Sequence, residues 1–363
     1  MTIKPLQKIL GILALVLVGG LLLASLSPAQ SETTIGVLVP LSGPSAGIGE
    51  RVKAGIEAGV AEINDKGGNI RVVFEDDKGD ATTAVSAARK LIDSDGVHVI
   101  IGTVKSDAML AVAPITEEKQ IILLSPTAGA AAISQAGDFV FRVIELPDVH
   151  GRTAAAHIGD VPTALFVANA ANAQSYGKAL KDNFQGKIVY EVAYNQNDLD
   201  FRTDTAKAKR AEAFYLAVAT AKDAGVLVKQ IRESGFAGPI MASVAADAKE
   251  FFDAAGQYAD GTLITTSFFD PSTNAGATFN KRYQTATGNE GDGFAANGYD
   301  SIMLISKALE RCESEDTACI RDFLYGTREY EGAGGTLSFD MNGDVEKPVI
   351  LKVARDGKFV LEN

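Results

Sequence analysis

Tryptophan is absent from the 363-residue chain, cysteine occurs twice and histidine three times. So few thiols and imidazoles leave little material for a zinc framework. The missing indole removes one favoured platform for sugars and bases. Lys plus Arg total 34 against 46 Asp plus Glu, a formal charge of −12. That balance repels phosphate backbones, and without a Lys/Arg run or a basic-aromatic stripe no nucleic-acid partner is expected. His-Glu-x-x-His pairs and Walker loops are missing as well, and Gly47-Ile48-Gly49 does not continue into a complete Gly-x-Gly-x-x-Gly. An enzyme is therefore not expected, and neither a cofactor nor a metal is.

What is present is apolar material: 46% of residues are hydrophobic and 22% charged, a globular composition. Single cores stop growing near roughly 250–300 residues, so two lobes are expected. At the N-terminus Lys4 and Lys8 precede an apolar stretch from Ile9 to Leu26, followed by Ser27-Pro28-Ala29. This reads as a signal peptide over 1–29 cut near Ala29, with a retained anchor as the alternative. Cleavage would leave the chain two charges more acidic, exported and without a further apolar span. In an oxidising compartment Cys312 and Cys319 would close a disulfide loop of about eight residues; two reduced, packed cysteines are the alternative.

Beyond the leader, short apolar runs alternate with amphipathic stretches. Strands are expected at 34–39, 70–74, 97–101 and 121–124, with helices between, and the rhythm resumes after Pro147 with strands at 163–167, 187–193, 212–218, 239–242 and 261–267. Asn342-Gly343 and Asp356-Gly357 signal hairpins in the tail. The polar stretch 195–209 carries no clear signal. His98 is expected to be a core residue, His150 and His157 to lie at the surface, and Asp76, Asp77 and Asp80 to form a solvated loop.

In open parallel sheets, ligands bind beyond the carboxyl ends of strands, where helix N-termini present free N–H groups. Three junctions fit: Ser42 to Gly49, Gly102 to Asp107, and Ser125 to Gly129. Each also reads as ordinary turn and cap chemistry, Ser106 or Asp107 serving as a helix cap. Their coincidence on one sheet edge points to an anion such as a carboxylate.

The loop SGPSAGIG, the helix ending AEINDKGG, then VHVIIGTVKSDAM, IILLSPTAG, Tyr176-Gly177 and Asn297-Gly298-Tyr299-Asp300 occur in one order. In this the chain resembles the leucine/isoleucine/valine-binding family, type I periplasmic solute-binding proteins of ABC importers. The resemblance implies an α/β fold of two Rossmann-like lobes with parallel sheets flanked by helices, joined by a multi-strand hinge. Lobe 1 would span 30–146 and 268–347, lobe 2 147–267 and 348–363, with crossings near 145–147, 267–270 and 347–349. It implies capture of a small carboxylate-bearing solute, an amino acid of branched-chain type, for an ABC transporter permease in the periplasm. A periplasmic sensor for another organic acid or amide is the alternative, and a monomer is expected. Carried over by position, Ser106 would hold the carboxylate, flanked by Val104 and Lys105. Thr127, Ala128 and Gly129 would add backbone groups, Tyr176 would close from the second lobe, and Ile48 and Phe294 would form walls. Two positions depart from the pattern. Gly129 stands where a threonine is common, and Val244 where the acid that pairs with the ammonium is expected. Asp247 is open as its replacement or as a helix N-cap.

Overall fold

In the computed structural model, residues 32–362 other than Asn197 are described; the expected leader lies outside them. The first half lays down β1 (Thr33–Val39), α1 (Ala46–Asp65), β2 (Ile70–Asp76), α2 (Ala81–Asp93), β3 (Val99–Gly102), α3 (Ser106–Glu118), β4 (Ile122–Ser125) and β5 (Val140–Arg142). These strands pair in parallel in the order β2-β1-β3-β4-β5. Burial on both faces explains why β3 and β4 read as unbroken apolar runs rather than alternations.

The second half runs through α4 (Pro147–Ile158), β6 (Thr163–Ala168), α5 (Ala171–Asn183), β7 (Ile188–Tyr194), α6 (Arg202–Lys207), β8 (Ala213–Ala217), α7 (Ala221–Glu233), β9 (Ile240–Ala242), α8 (Lys249–Ala255) and β10 (Thr262–Ser267). The chain then adds α9 (Asn274–Thr287), α10 (Gly293–Cys312), α11 (Thr317–Gly326), the hairpin β11 (Tyr330–Gly332) and β12 (Gly335–Leu337), and finally β13 (Val349–Arg355) and β14 (Lys358–Leu361). The second sheet has the order β14-β13-β10-β9-β8-β6-β7, with its last two strands antiparallel. Asp356 and Gly357, both at positive φ, form the turn that joins them. Asn342-Gly343 lies in the turn between Phe339 and Val345, which an isolated antiparallel bridge joins.

Helix α10 returns to the first sheet and lies against α1. A Cβ at Gly55 would fall 2.0 Å from the Ala295 carbonyl oxygen, and one at Gly298 2.5 Å from that of Val52. The small residues of α1 therefore serve a helix–helix approach, not only the sheet packing that their pattern suggests. Cys312 and Cys319, at the end of α10 and within α11, are joined by a disulfide.

Several expectations are corrected. His98 precedes β3, exposed, with Nδ1 3.1 Å from Glu315 Oε2. His150 is fully buried, because Pro147 starts a helix whose inner face carries it. Asp77 is buried too, and Asp80 caps α2 by accepting from the Thr83 N–H. No described helix is long and apolar enough to cross a membrane.

Candidate functional site

A small cavity lies between the carboxyl ends of the two sheets, lined from both of them. Its first wall comes from three β–α junctions of the first sheet. Asp76 pins the opening loop, accepting from the Leu41 N–H and the Ser42 hydroxyl, and holds Pro44, Ser45, Gly47 and Ile48 on the wall. Val104, Lys105 and Ser106 come from the second junction, Thr127 and Gly129 from the third.

Helix α3 begins at Ser106, and the residue before it is Lys105, which makes no side-chain cap. Neither Ser106 nor Asp107 caps this helix with its side chain, so the helix start at Ser106 reaches the cavity without a side-chain cap, Asp107 contributing only its first-turn charge. The Ser106 hydroxyl accepts from the Ala130 N–H and the Thr127 hydroxyl donates to the Val104 carbonyl. The Thr127 and Ala128 amides are already donated to Ser125 Oγ. Ala128 is fully buried in the core cluster that includes Val112 and Ile133. The structure thus does not bring Ala128 to the cavity, and neither it nor Thr127 has a free amide to offer there.

The second wall is built from helix starts on the other sheet. Tyr176 and Asn172 come from α5, Thr220 from the cap of α7, and Val244, Ala245, Ala248 and Glu250 from the segment entering α8. Phe294, from α10, completes the lining, with the Arg51 guanidinium 4.9 Å from its ring centroid. Tyr176 is 1% exposed, and its hydroxyl has no hydrogen-bond partner among the described residues. Burial pushes its pKa up, so it stays a neutral donor. A Cβ at Gly129 would lie 2.3 Å from that hydroxyl; the phenol fills the place where a threonine side chain would stand.

Lys105 is buried, not solvated, and donates through Nζ to the Ala219 carbonyl at 2.7 Å. Burial pulls its pKa down, while Asp107, Asp223 and Asp77 act the other way. Burial lifts Asp77 to about 6. Asp107 Oδ1 accepts from the Ala171 N–H at the start of α5, and the Arg51 guanidinium donates to the Asp247 carbonyl. These three bonds join the first half of the fold to the second beside the cavity.

Val244 lines the cavity as an apolar residue. Asp247 is not the N-cap of α8, which is Ala248. Its carboxylate instead takes the Thr266 hydroxyl at 2.8 Å and Lys352 Nζ at 3.1 Å. Asn172, Thr220 and Glu250 are lining residues missed in the sequence. An acid in the first turn of a helix carries no local signal beyond a favourable charge there.

Two α/β lobes with a cleft between their strand ends define a type I periplasmic binding protein. A family profile, described as periplasmic binding protein, matches residues 32–357. The chain belongs to that family. It is 29% identical over 337 residues to the Leu/Ile/Val-binding protein homolog 3 of Brucella melitensis, covering 89% of this chain and 91% of the relative. The leucine-binding protein LivK of Thermotoga maritima superposes with a TM-score of 0.86 at 28% identity, over 91% of this chain and 98% of that one. A solute-binding protein of an ABC transporter from R. palustris, in complex with benzoate, shares the fold with a TM-score of 0.81 at 23% identity, over 91% and 95%.

Proposed function

We propose that the chain is an exported, monomeric solute-binding protein that closes two lobes around a small carboxylate-bearing solute, an amino acid of branched-chain type. It would then present the closed form to an ABC transporter permease from the periplasm, its leader removed near Ala29. The observation that carries this reading is the uncapped start of α3, with Ser106 and Thr127 beside it, facing an unpartnered Tyr176 hydroxyl across one cavity. A helix start without a side-chain cap and the free proton of the Ser106 hydroxyl suit an anion, and the opposite wall buries it. Similarity to proteins named for leucine, isoleucine and valine supports the amino acid.

The lobes would divide at 146–147, 267–268 and 347–348. In support, Glu145 accepts from the Ser267 hydroxyl at 2.7 Å and lies 3.8 Å from Lys347 Nζ, so residues at all three crossings meet. Closure would be driven by the solute's preference for the closed form.

Native mass spectrometry of freshly purified protein tests the reading. The expected extra mass is that of an amino acid, and Ser106→Ala should weaken its binding about 10- to 100-fold, the loss of one hydrogen bond to a charged group. The apolar Val244 favours one second reading, a binder or sensor of an organic acid without an amine, as in the benzoate complex of the R. palustris protein. A bound aromatic or aliphatic acid would establish it, and turnover of the bound molecule would overturn both.

A further inference from the structure

We infer that Glu250 accepts a protonated amine of the solute, so that the cleft takes a zwitterion with its anionic end on the first lobe and its cationic end on the second. This rests on the carboxylate-binding reading above and names the group that the second lobe recognises.

The two walls differ in polarity. The first offers donors: the start of α3 and the hydroxyl of Ser106, which accepts from the Ala130 N–H and keeps its own proton free. The second offers acceptors. Glu250 Oε2 and Asn172 Oδ1 are both buried at the cavity without a hydrogen-bond partner among the described residues. A carboxylate oxygen shielded from water and left unpaired is costly, and a cation beside it removes the cost. Among the described residues no protein group hydrogen-bonds that oxygen. Lys105, the one basic residue on the lining, is spent on the Ala219 carbonyl. Glu250 is in turn the one acid on the lining, since Val244 is apolar and Asp247 is held by Thr266 and Lys352.

The opposite wall is shaped for that carboxylate. A Cβ at Gly47 would lie 2.7 Å from Glu250 Oε1 and 2.9 Å from Oε2. Glycine at 47 therefore lets the carboxylate of the second lobe close against the opening loop of the first. The acid comes from the first turn of α8, not from the preceding loop where Val244 stands. An amine bound there faces the Gly47 loop and is gripped only when the lobes are shut.

Isothermal titration of the wild type, Glu250→Gln and Ser106→Ala tests this. The probes are the standard L-amino acids, each paired with the acid lacking only the amino group (4-methylpentanoate for leucine), and benzoate. For the amino acid that binds, Glu250→Gln should weaken affinity about 30-fold or more, as loss of a desolvated charge partner does, and leave the des-amino partner unchanged. Ser106→Ala should weaken both. Should Glu250→Gln not fold, the wild type must still prefer the amino acid to its des-amino partner by about 30-fold; equal affinity overturns the inference. An amino acid bound equally by wild type and Glu250→Gln overturns the role of Glu250 and leaves the proposed function standing. Benzoate or des-amino acids binding where no amino acid does overturns it in favour of the second reading. Silence from every probe overturns the inference and the proposed function together.

Discussion

A methyl group at Gly129 would meet the Tyr176 hydroxyl at 2.3 Å, with the ring carbon that bears it at 3.2 Å. Gly129→Ala should therefore cost about 1–3 kcal/mol, the usual penalty of overpacking. Adding Tyr176→Phe should recover most of it, since the closest atom is then gone. Chemical denaturation of the two single variants and the double variant measures that coupling. The pair also marks a limit of reading residues one at a time. In the sequence Gly129 is a missing hydroxyl, whereas in the structure it is the space that a phenol from the other lobe requires. Glu250 and Asn172 were hidden for the same reason. Their significance comes from the wall they face, which lies on another sheet.

At the scale of elements, buried parallel strands are legible because they are short, apolar and unbroken, and nearly every expected one stands within two residues of its place. Helix α4 is not legible: Pro147 resembles a turn, yet proline at a first helical position is compatible with a helix. That difference buries His150, whose Nδ1 lies 3.0 Å from the Thr265 hydroxyl and whose ring meets Tyr176 edge-on at 5.1 Å. Burial lowers its pKa to about 4, against a smaller opposing influence of Glu145. A base with a depressed folded pKa binds fewer protons folded than unfolded between pH 4 and 6.5, so its contribution falls as pH drops through that window. The wild type should lose on the order of 3 kcal/mol relative to His150→Gln as pH falls from 7 to 4. Urea unfolding of both proteins across that range should show the two stabilities converging; parallel curves would place the imidazole in water.

For the whole molecule, two lobes follow from length and composition, but the way they are tied does not. Glu145 and Lys347 are both buried, 202 residues apart in sequence, and the Lys347 ammonium also donates to the Val143 carbonyl and Asn297 Oδ1. Neither residue has a neighbour in sequence that announces the pairing. Lys347→Met should strand the Glu145 charge and cost about 3–5 kcal/mol, whereas Glu145→Gln with Lys347→Met should recover much of it. Reversible unfolding measures both. A small effect of Lys347→Met alone would mean that Ser267 and the Phe268 amide suffice to hold the carboxylate.

Lys105 reaches across to Ala219, Asp107 to Ala171 and Arg51 to Asp247, a seam of three bonds between residues of the first and second halves of the fold. Under the proposed closure, opening the lobes breaks all three. A guest's residence time would then track how often the seam frays, and substitutions at the seam should alter release rates far more than rates of capture.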